Sequence, residues 1–165
     1  MLKRQNFSAK PPDAQDEALQ LALRFLSYRS RSEAEVERRL TRGGYTSAII
    51  GTTLERLRSL HYIDDETFAR NWALGRIQNR GDGPKRIELE LQAKGVNQAV
   101  AREVIRETFR QVDETENARK LLRKRYHGTD LSDPKAIQRA ASFLQNRGYN
   151  GKTISELLHC PVEED

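Results

Sequence analysis

Only one cysteine, Cys160, occurs in 165 residues, so an internal disulfide framework is excluded and a reducing compartment, the cytoplasm, is expected. No apolar run approaches the roughly 18 residues that a membrane span needs. Met1-Leu2-Lys3-Arg4 is basic, but no apolar stretch follows it, so it does not read as a secretory signal. Histidine is scarce as well. His61, His127 and His159 are far apart and lack the i, i+4 spacing of a helical metal pair. His159-Cys160 supplies two ligands, too few for a zinc site. Phosphate loops, dinucleotide fingerprints and nucleophile elbows are missing. Asp64-Asp65-Glu66 could hold magnesium in principle, yet acids at a helix start are explained by capping and by the positive end of the helix. No catalytic residue, metal or cofactor is therefore expected, and the chain reads as a protein that works by binding.

What is abundant is charge. Charged residues make up 32% of the chain, and the net charge is +5 with a pI near 9.5, a balance that favours polyanionic partners such as nucleic acid. The charges are spread through a pattern of helices joined three times in one way. Leu40-Thr41-Arg42-Gly43-Gly44-Tyr45-Thr46, Leu91-Gln92-Ala93-Lys94-Gly95-Val96-Asn97 and Leu144-Gln145-Asn146-Arg147-Gly148-Tyr149-Asn150 share a Leu four positions before a Gly. An apolar residue and then Thr or Asn follow each Gly. A helix running through the Leu can end at the Gly, which enters the left-handed region at little steric cost. The next apolar residue then packs back on the Leu, and Thr46, Asn97 or Asn150 caps the following helix.

The joints recur roughly every 50 residues, a period that suits a unit of about three helices. Val36 with Leu40, Ile87 with Leu91 and Ala140 with Leu144 keep the same register before each joint. The spacing predicts an all-α fold, an elongated and curved array of three tandem three-helix repeats with nine helices. The expected bounds are a disordered arm over 1–12, repeats over 13–62, 63–110 and 111–159, and an acidic tail over 160–165. Ser32 and Glu35 form a capping box, and Pro84 and Pro134 suit first helical positions. Trp72 lies on the stripe of Phe68, Ala69, Ala73 and Ile77, which reads as core rather than as a base-stacking platform.

The sharpest functional feature is the seventh helix. Arg119, Lys120, Arg123, Lys124 and Arg125 have no acid between Asn117 and Gly128. On a helical wheel Arg119, Lys120, Arg123 and Lys124 fill one arc, and Ala118, Leu121, Leu122 and Tyr126 the other. Arg125 falls among the apolar positions, where it must snorkel or find a partner. Like charges at i, i+4 destabilise a helix, so an unmixed cationic face suits an anionic partner better than plain solvation. Arg76, Arg80, Lys85 and Arg86 form a second basic group around Gly81-Asp82-Gly83-Pro84. Together these cations would track a phosphate backbone without reading bases.

Three stretches then resemble a known family, the RecX regulatory proteins that modulate the bacterial RecA recombinase. They are Tyr28-Arg29-Ser30-Arg31-Ser32 leading to Glu35-Val36 and Leu40; Tyr62-Ile63-Asp64-Asp65 with Phe68, Ala69, Arg70 and Trp72; and Gly83-Pro84-Lys85-Arg86-Ile87 through Glu90-Leu91 to Lys94-Gly95-Val96. Arg147-Gly148-Tyr149 matches in the third unit. The likeness spans about Tyr28 to Leu157 and departs at His61, where the family commonly has Gly. A left-handed backbone there would cost His roughly 1 kcal/mol. The resemblance implies a monomeric, non-enzymatic inhibitor lying along the groove of the RecA–single-stranded-DNA filament, with weak, backbone-directed contact to the DNA. It also implies damping of filament growth, ATP hydrolysis, strand exchange and the co-protease activity behind the SOS response. The competing expectation is a direct DNA-binding regulator that uses one joint as a helix-turn-helix. Against it, Gln98-Ala99-Val100-Ala101-Arg102-Glu103 after Gly95 is poor in side chains that read base edges.

Overall fold

The computed structural model describes residues 14–128 and 131–158. The expected arm at 1–12, the His159-Cys160 pair and the acidic tail lie outside the described residues. Within them the chain forms nine helices and no strand: α1 (Ala14–Ser27), α2 (Glu33–Arg42), α3 (Ser47–Ser59), α4 (Asp65–Arg80), α5 (Pro84–Ala93), α6 (Gln98–Gln111), α7 (Glu114–Arg125), α8 (Pro134–Asn146) and α9 (Gly151–Leu158). This is the all-α, three-times-three arrangement that the joints predict. The helices fall into two compact units that divide between Phe68 and Ala69, inside α4. No helix of the described residues is long and apolar enough to cross a membrane.

The three joints are one structure built three times. Gly44, Gly95 and Gly148 have φ of +79°, +83° and +88°. The amide after each donates to the carbonyl of the joint's Leu: Tyr45 to Leu40 at 3.4 Å, Val96 to Leu91 at 3.1 Å and Tyr149 to Leu144 at 3.1 Å. Each Gly amide donates to the residue after that Leu, which completes the Schellman pattern. Thr46, Asn97 and Asn150 then cap α3, α6 and α9 by accepting from the amides of Ile49, Ala99 and Thr153. The register pairs before the joints, Val36 and Leu40, Ile87 and Leu91, Ala140 and Leu144, are all fully buried.

A fourth joint of the same kind links α3 to α4, with His61 where the others have Gly. Its φ is +56°, its amide donates to Arg58, and Tyr62 donates to Leu57 at 2.9 Å. The left-handed region costs a residue with a Cβ about 1–2 kcal/mol, part of which glycine's greater freedom in the unfolded chain offsets. His61→Gly is therefore expected to stabilise the protein by about 0.5–1 kcal/mol. Urea denaturation checks this, and a destabilised variant would show that the His61 side chain itself holds the joint.

In the first unit α1, α2 and α3 pack around Ala18, Leu19, Ala22, Val36, Leu40, Ile50, Leu54, Leu57 and Ile63. The capping box forms as expected: Ser32 accepts from the Glu35 amide at 3.3 Å, and Glu35 accepts from the Ser32 amide at 3.2 Å. Arg29 at 2.8 Å and Arg31 at 4.0 Å brace the Glu35 carboxylate. The paired aspartates divide their work. Asp64 caps α4, accepting from the Glu66 amide at 3.0 Å and the Thr67 hydroxyl at 2.5 Å. Asp65 instead accepts from the Glu33 amide at 2.8 Å, at the start of α2. The Thr67 hydroxyl holds the Asp64 carboxyl below its usual range, whereas burial pushes that of Asp65 up.

In the second unit α5 packs on α6, and α7 and α8 both pack on α9 around Ala118, Leu122, Ala140, Leu144, Tyr149 and Leu158. The turn before α5 lies against the joint between α8 and α9, backbone on backbone. The Gly83 amide donates to the Arg147 carbonyl at 2.7 Å, and the Lys85 amide to the Gly148 carbonyl at 3.1 Å. A Cβ on Gly83 would sit 2.7 Å from the Gly148 carbonyl carbon, so only glycine allows this approach. The Tyr149 hydroxyl donates to the Gly81 carbonyl at 3.0 Å and accepts from Asn117 at 2.8 Å. Burial, assisted by the nearby Glu114 carboxylate, raises the Tyr149 phenol far above its usual range, which keeps it a donor.

Candidate nucleic-acid interface

The helix that carries the cations is α7. Asp113 caps it, accepting from the Glu116 amide at 3.0 Å, and Glu114 and Glu116 lie in its first turn. Arg123, Lys124 and Arg125 fill its last turn, so the charge order follows the helix dipole and offsets part of their mutual repulsion. The two arcs separate as the wheel predicts. Ala118 and Leu122 are buried, Leu121 and Tyr126 half-buried, and Arg119, Lys120, Arg123 and Lys124 exposed. Arg125 is also exposed and snorkels, its guanidinium 5.8 Å from the centre of the Phe143 ring. Glu116 is the acid that answers this face, 2.5 Å from Arg119 and 3.9 Å from Arg123. Among the described residues no carboxylate pairs with Lys120 or Lys124.

The second basic group is placed differently. Arg76 binds Glu90 at 2.5 Å and lies 4.3 Å above the Trp72 ring, whose indole N–H donates to the same carboxylate at 3.0 Å. Lys94 also lies over that ring, at 4.0 Å, so Trp72 is a half-buried packing residue ringed by cations. Arg80 stands 3.9 Å from both Asp82 and Glu90. Arg86 is 3.6 Å from Asp82 and donates to the Asn146 carbonyl at 3.0 Å. Lys85 is exposed. Asp82 gathers these arginines. Its side chain is 0% exposed, and Arg147 reaches it at 3.1 Å while also donating to the Arg80 carbonyl at 3.0 Å. A buried carboxylate needs such partners, because an uncompensated one costs several kcal/mol. Arg76, Arg80 and Arg86 thus spend their charge on folded-state acids, and the α7 cations largely do not.

Beside α7 lies a feature that the sequence reading did not single out, a cleft of about 410 Å³. Leu122, Tyr126, Leu131 and Leu157 give it apolar walls, and Arg119, Arg123 and His127 line it as well. His127 and Leu157 come together here only because α9 packs on α7, which no local sequence signal announces. The arrangement offers a cationic surface with an apolar recess. No group of three or more metal-ligating side chains gathers among the described residues.

Three family models match the chain in series: the RecX first three-helix domain over residues 18–57, the second over 64–105 and the third over 112–158. The chain belongs to the RecX family. It is 35% identical over 144 residues to the regulatory protein RecX of Mycolicibacterium smegmatis, covering 85% of this chain and 77% of that one. The regulatory protein RecX of Mycobacterium leprae is 33% identical over 159 residues, covering 92% and 91%. The crystal structure of RecX from Lactobacillus salivarius shares the fold, with a TM-score of 0.76 over 90% of this chain and 97% of that one at 22% identity. The residues that carried the RecX likeness turn out to build the frame. Arg29, Arg31, Ser32 and Glu35 make the braced cap, Asp64 and Asp65 the two-way cap, and Gly83, Arg86, Glu90, Arg147 and Gly148 the junction within the second unit.

Proposed function

We propose that this chain regulates the RecA recombinase by binding its filament on single-stranded DNA. In this reading it acts in the cytoplasm, without catalysis, as a brake on filament growth, ATP hydrolysis, strand exchange and co-protease activity. Membership of a regulatory family named RecX supports the class of role. The observation that carries the physical reading is the exposed, largely unpaired cationic arc of α7 opposite a buried apolar arc. Arg119, Lys120, Arg123, Lys124 and Arg125 make the main contacts to phosphate or to acidic filament surface, with Lys85 as a second contact. Arg76, Arg80 and Arg86 contribute chiefly by holding the turn before α5 in place. Such contacts are sequence-independent and depend strongly on salt.

Reversing two charges tests this. Arg123→Glu with Lys124→Glu is expected to weaken binding to the RecA–single-stranded-DNA filament about tenfold or more at low salt and to leave the fold intact, since both side chains are exposed. If both residues meet phosphates, the slope of log affinity against log salt should flatten by about 1.4. An unchanged slope would mean that this face is solvated surface only.

A further inference from the structure

The cleft beside α7 has the character of a seat for a nucleobase. We infer that it takes one unstacked base of a single nucleic-acid strand, whose neighbouring phosphates lie on Arg119 and Arg123. This deepens the proposed function and rests on its reading of α7 as the helix that meets phosphate.

Three observations lead there. The first is the layout of α7. Arg119 and Arg123 stand one turn apart, about 6 Å along the axis, and each is followed three positions on by an apolar wall of the cleft, Leu122 and Tyr126. A row of cations therefore runs beside an apolar row. A nucleotide strand has the same two sides, phosphate on one and base on the other. The second is the recess itself. Leu131 and Leu157 add walls from outside α7, and the volume of about 410 Å³ suits one small-molecule unit rather than a duplex lying along a groove. The third is a ring held ready. At the end of α7 the Tyr126 amide donates to the Leu122 carbonyl at 2.8 Å, and Phe143 meets the Tyr126 ring edge-on, with centroids 6.0 Å apart and planes at 69°. A ring fixed in this way loses little freedom when a base stacks on it. The exposed His127 offers a second ring surface beside it.

The charges favour a strand over a peptide as the occupant. An apolar side chain could fill the recess, but it would leave Lys120 and Lys124 unanswered, and no carboxylate pairs with them among the described residues. A strand brings one negative charge with every base. Because every base has a face to stack, the seat adds affinity without reading sequence, and it discriminates against duplexes, whose bases must first leave the stack.

The test uses the full chain with a short deoxyadenylate strand and with an abasic strand of the same length, which keeps the phosphates and lacks the bases. The methyl resonances of Leu122, Leu131 and Leu157 are expected to shift with the adenylate strand and to stay in place with the abasic strand or with a duplex. Affinity for the adenylate strand should exceed that for the abasic one about tenfold. Tyr126→Leu, which keeps the wall apolar, should remove most of that difference and leave abasic binding unchanged. If Tyr126→Leu does not fold, the methyl comparison on the unaltered protein decides alone. Equal affinities with unmoved methyls would overturn the base seat and leave the phosphate contact of the proposed function standing. A preference that survives in folded Tyr126→Leu would place the base elsewhere and overturn the assignment. Methyl shifts produced by an acidic, leucine-containing peptide and not by the strand would give the cleft to a protein partner and overturn the inference. If neither strand binds, the strand contact of the proposed function fails and the base seat fails with it.

Discussion

Gly148→Ala is expected to destabilise the second unit by about 3 kcal/mol or more, whereas Gly44→Ala, at the equivalent place in the first joint, should cost only about 1–2 kcal/mol. The two glycines have nearly the same backbone, with φ of +88° and +79°. They differ in what a Cβ would meet. At Gly44 nothing lies within 4 Å, so the cost is the left-handed strain alone. At Gly148 the new carbon would stand 2.3 Å from the Arg86 amide nitrogen and 2.6 Å from its Cβ. The first of these atoms is backbone at the start of α5, which cannot yield without breaking the Lys85–Gly148 and Gly83–Arg147 hydrogen bonds. Urea denaturation of both variants measures the difference, and equal costs would mean that the two turns do not touch.

Arg147→Met should destabilise by about 2–4 kcal/mol, while Arg123→Met should change stability by less than about 0.5 kcal/mol. Arg147 is the nearest cation to a carboxylate with no exposed surface. Arg86 at 3.6 Å and Arg80 at 3.9 Å would remain, but neither hydrogen-bonds it as Arg147 does at 3.1 Å. The Asp82 Oδ2 already lacks a hydrogen-bond partner, so little reserve exists. Methionine retains contact with the Phe143 ring, over which Arg147 lies at 5.5 Å, so the loss isolates the charge. Arg123, with 66% of its side chain exposed and an acid no nearer than 3.9 Å, has no such burden. If both variants behaved alike, the division between junction arginines and surface arginines would be wrong.

That division marks the limit of what the chain's letters tell. Joints, caps and register are local, set by residues within a few positions: Leu40 with Gly44, Ser32 with Glu35, Asp133 before Pro134. Each is legible because its chemistry acts over one helical turn. The separation of α7 into apolar and cationic arcs was legible for the same reason. The fourth joint was visible only through its departure, since His61 hides a position that glycine would have announced. The partners of the second basic group were not legible. Arg147 meets Asp82 across 65 positions, and Tyr149 meets Gly81 across 68. Arg86 and Arg123 look alike in sequence, and only the packing of α5 against the last joint tells them apart. The cleft stayed hidden too, because its walls come from α7, α9 and the turn between α7 and α8.

The most direct measurement of the central claim is single-strand-dependent ATP hydrolysis by RecA, titrated with this protein. Regulation by filament binding predicts that hydrolysis falls at substoichiometric amounts, and that the Arg123→Glu, Lys124→Glu protein needs a much higher dose for the same effect. Hydrolysis that stays at its starting rate up to equimolar protein would contradict it.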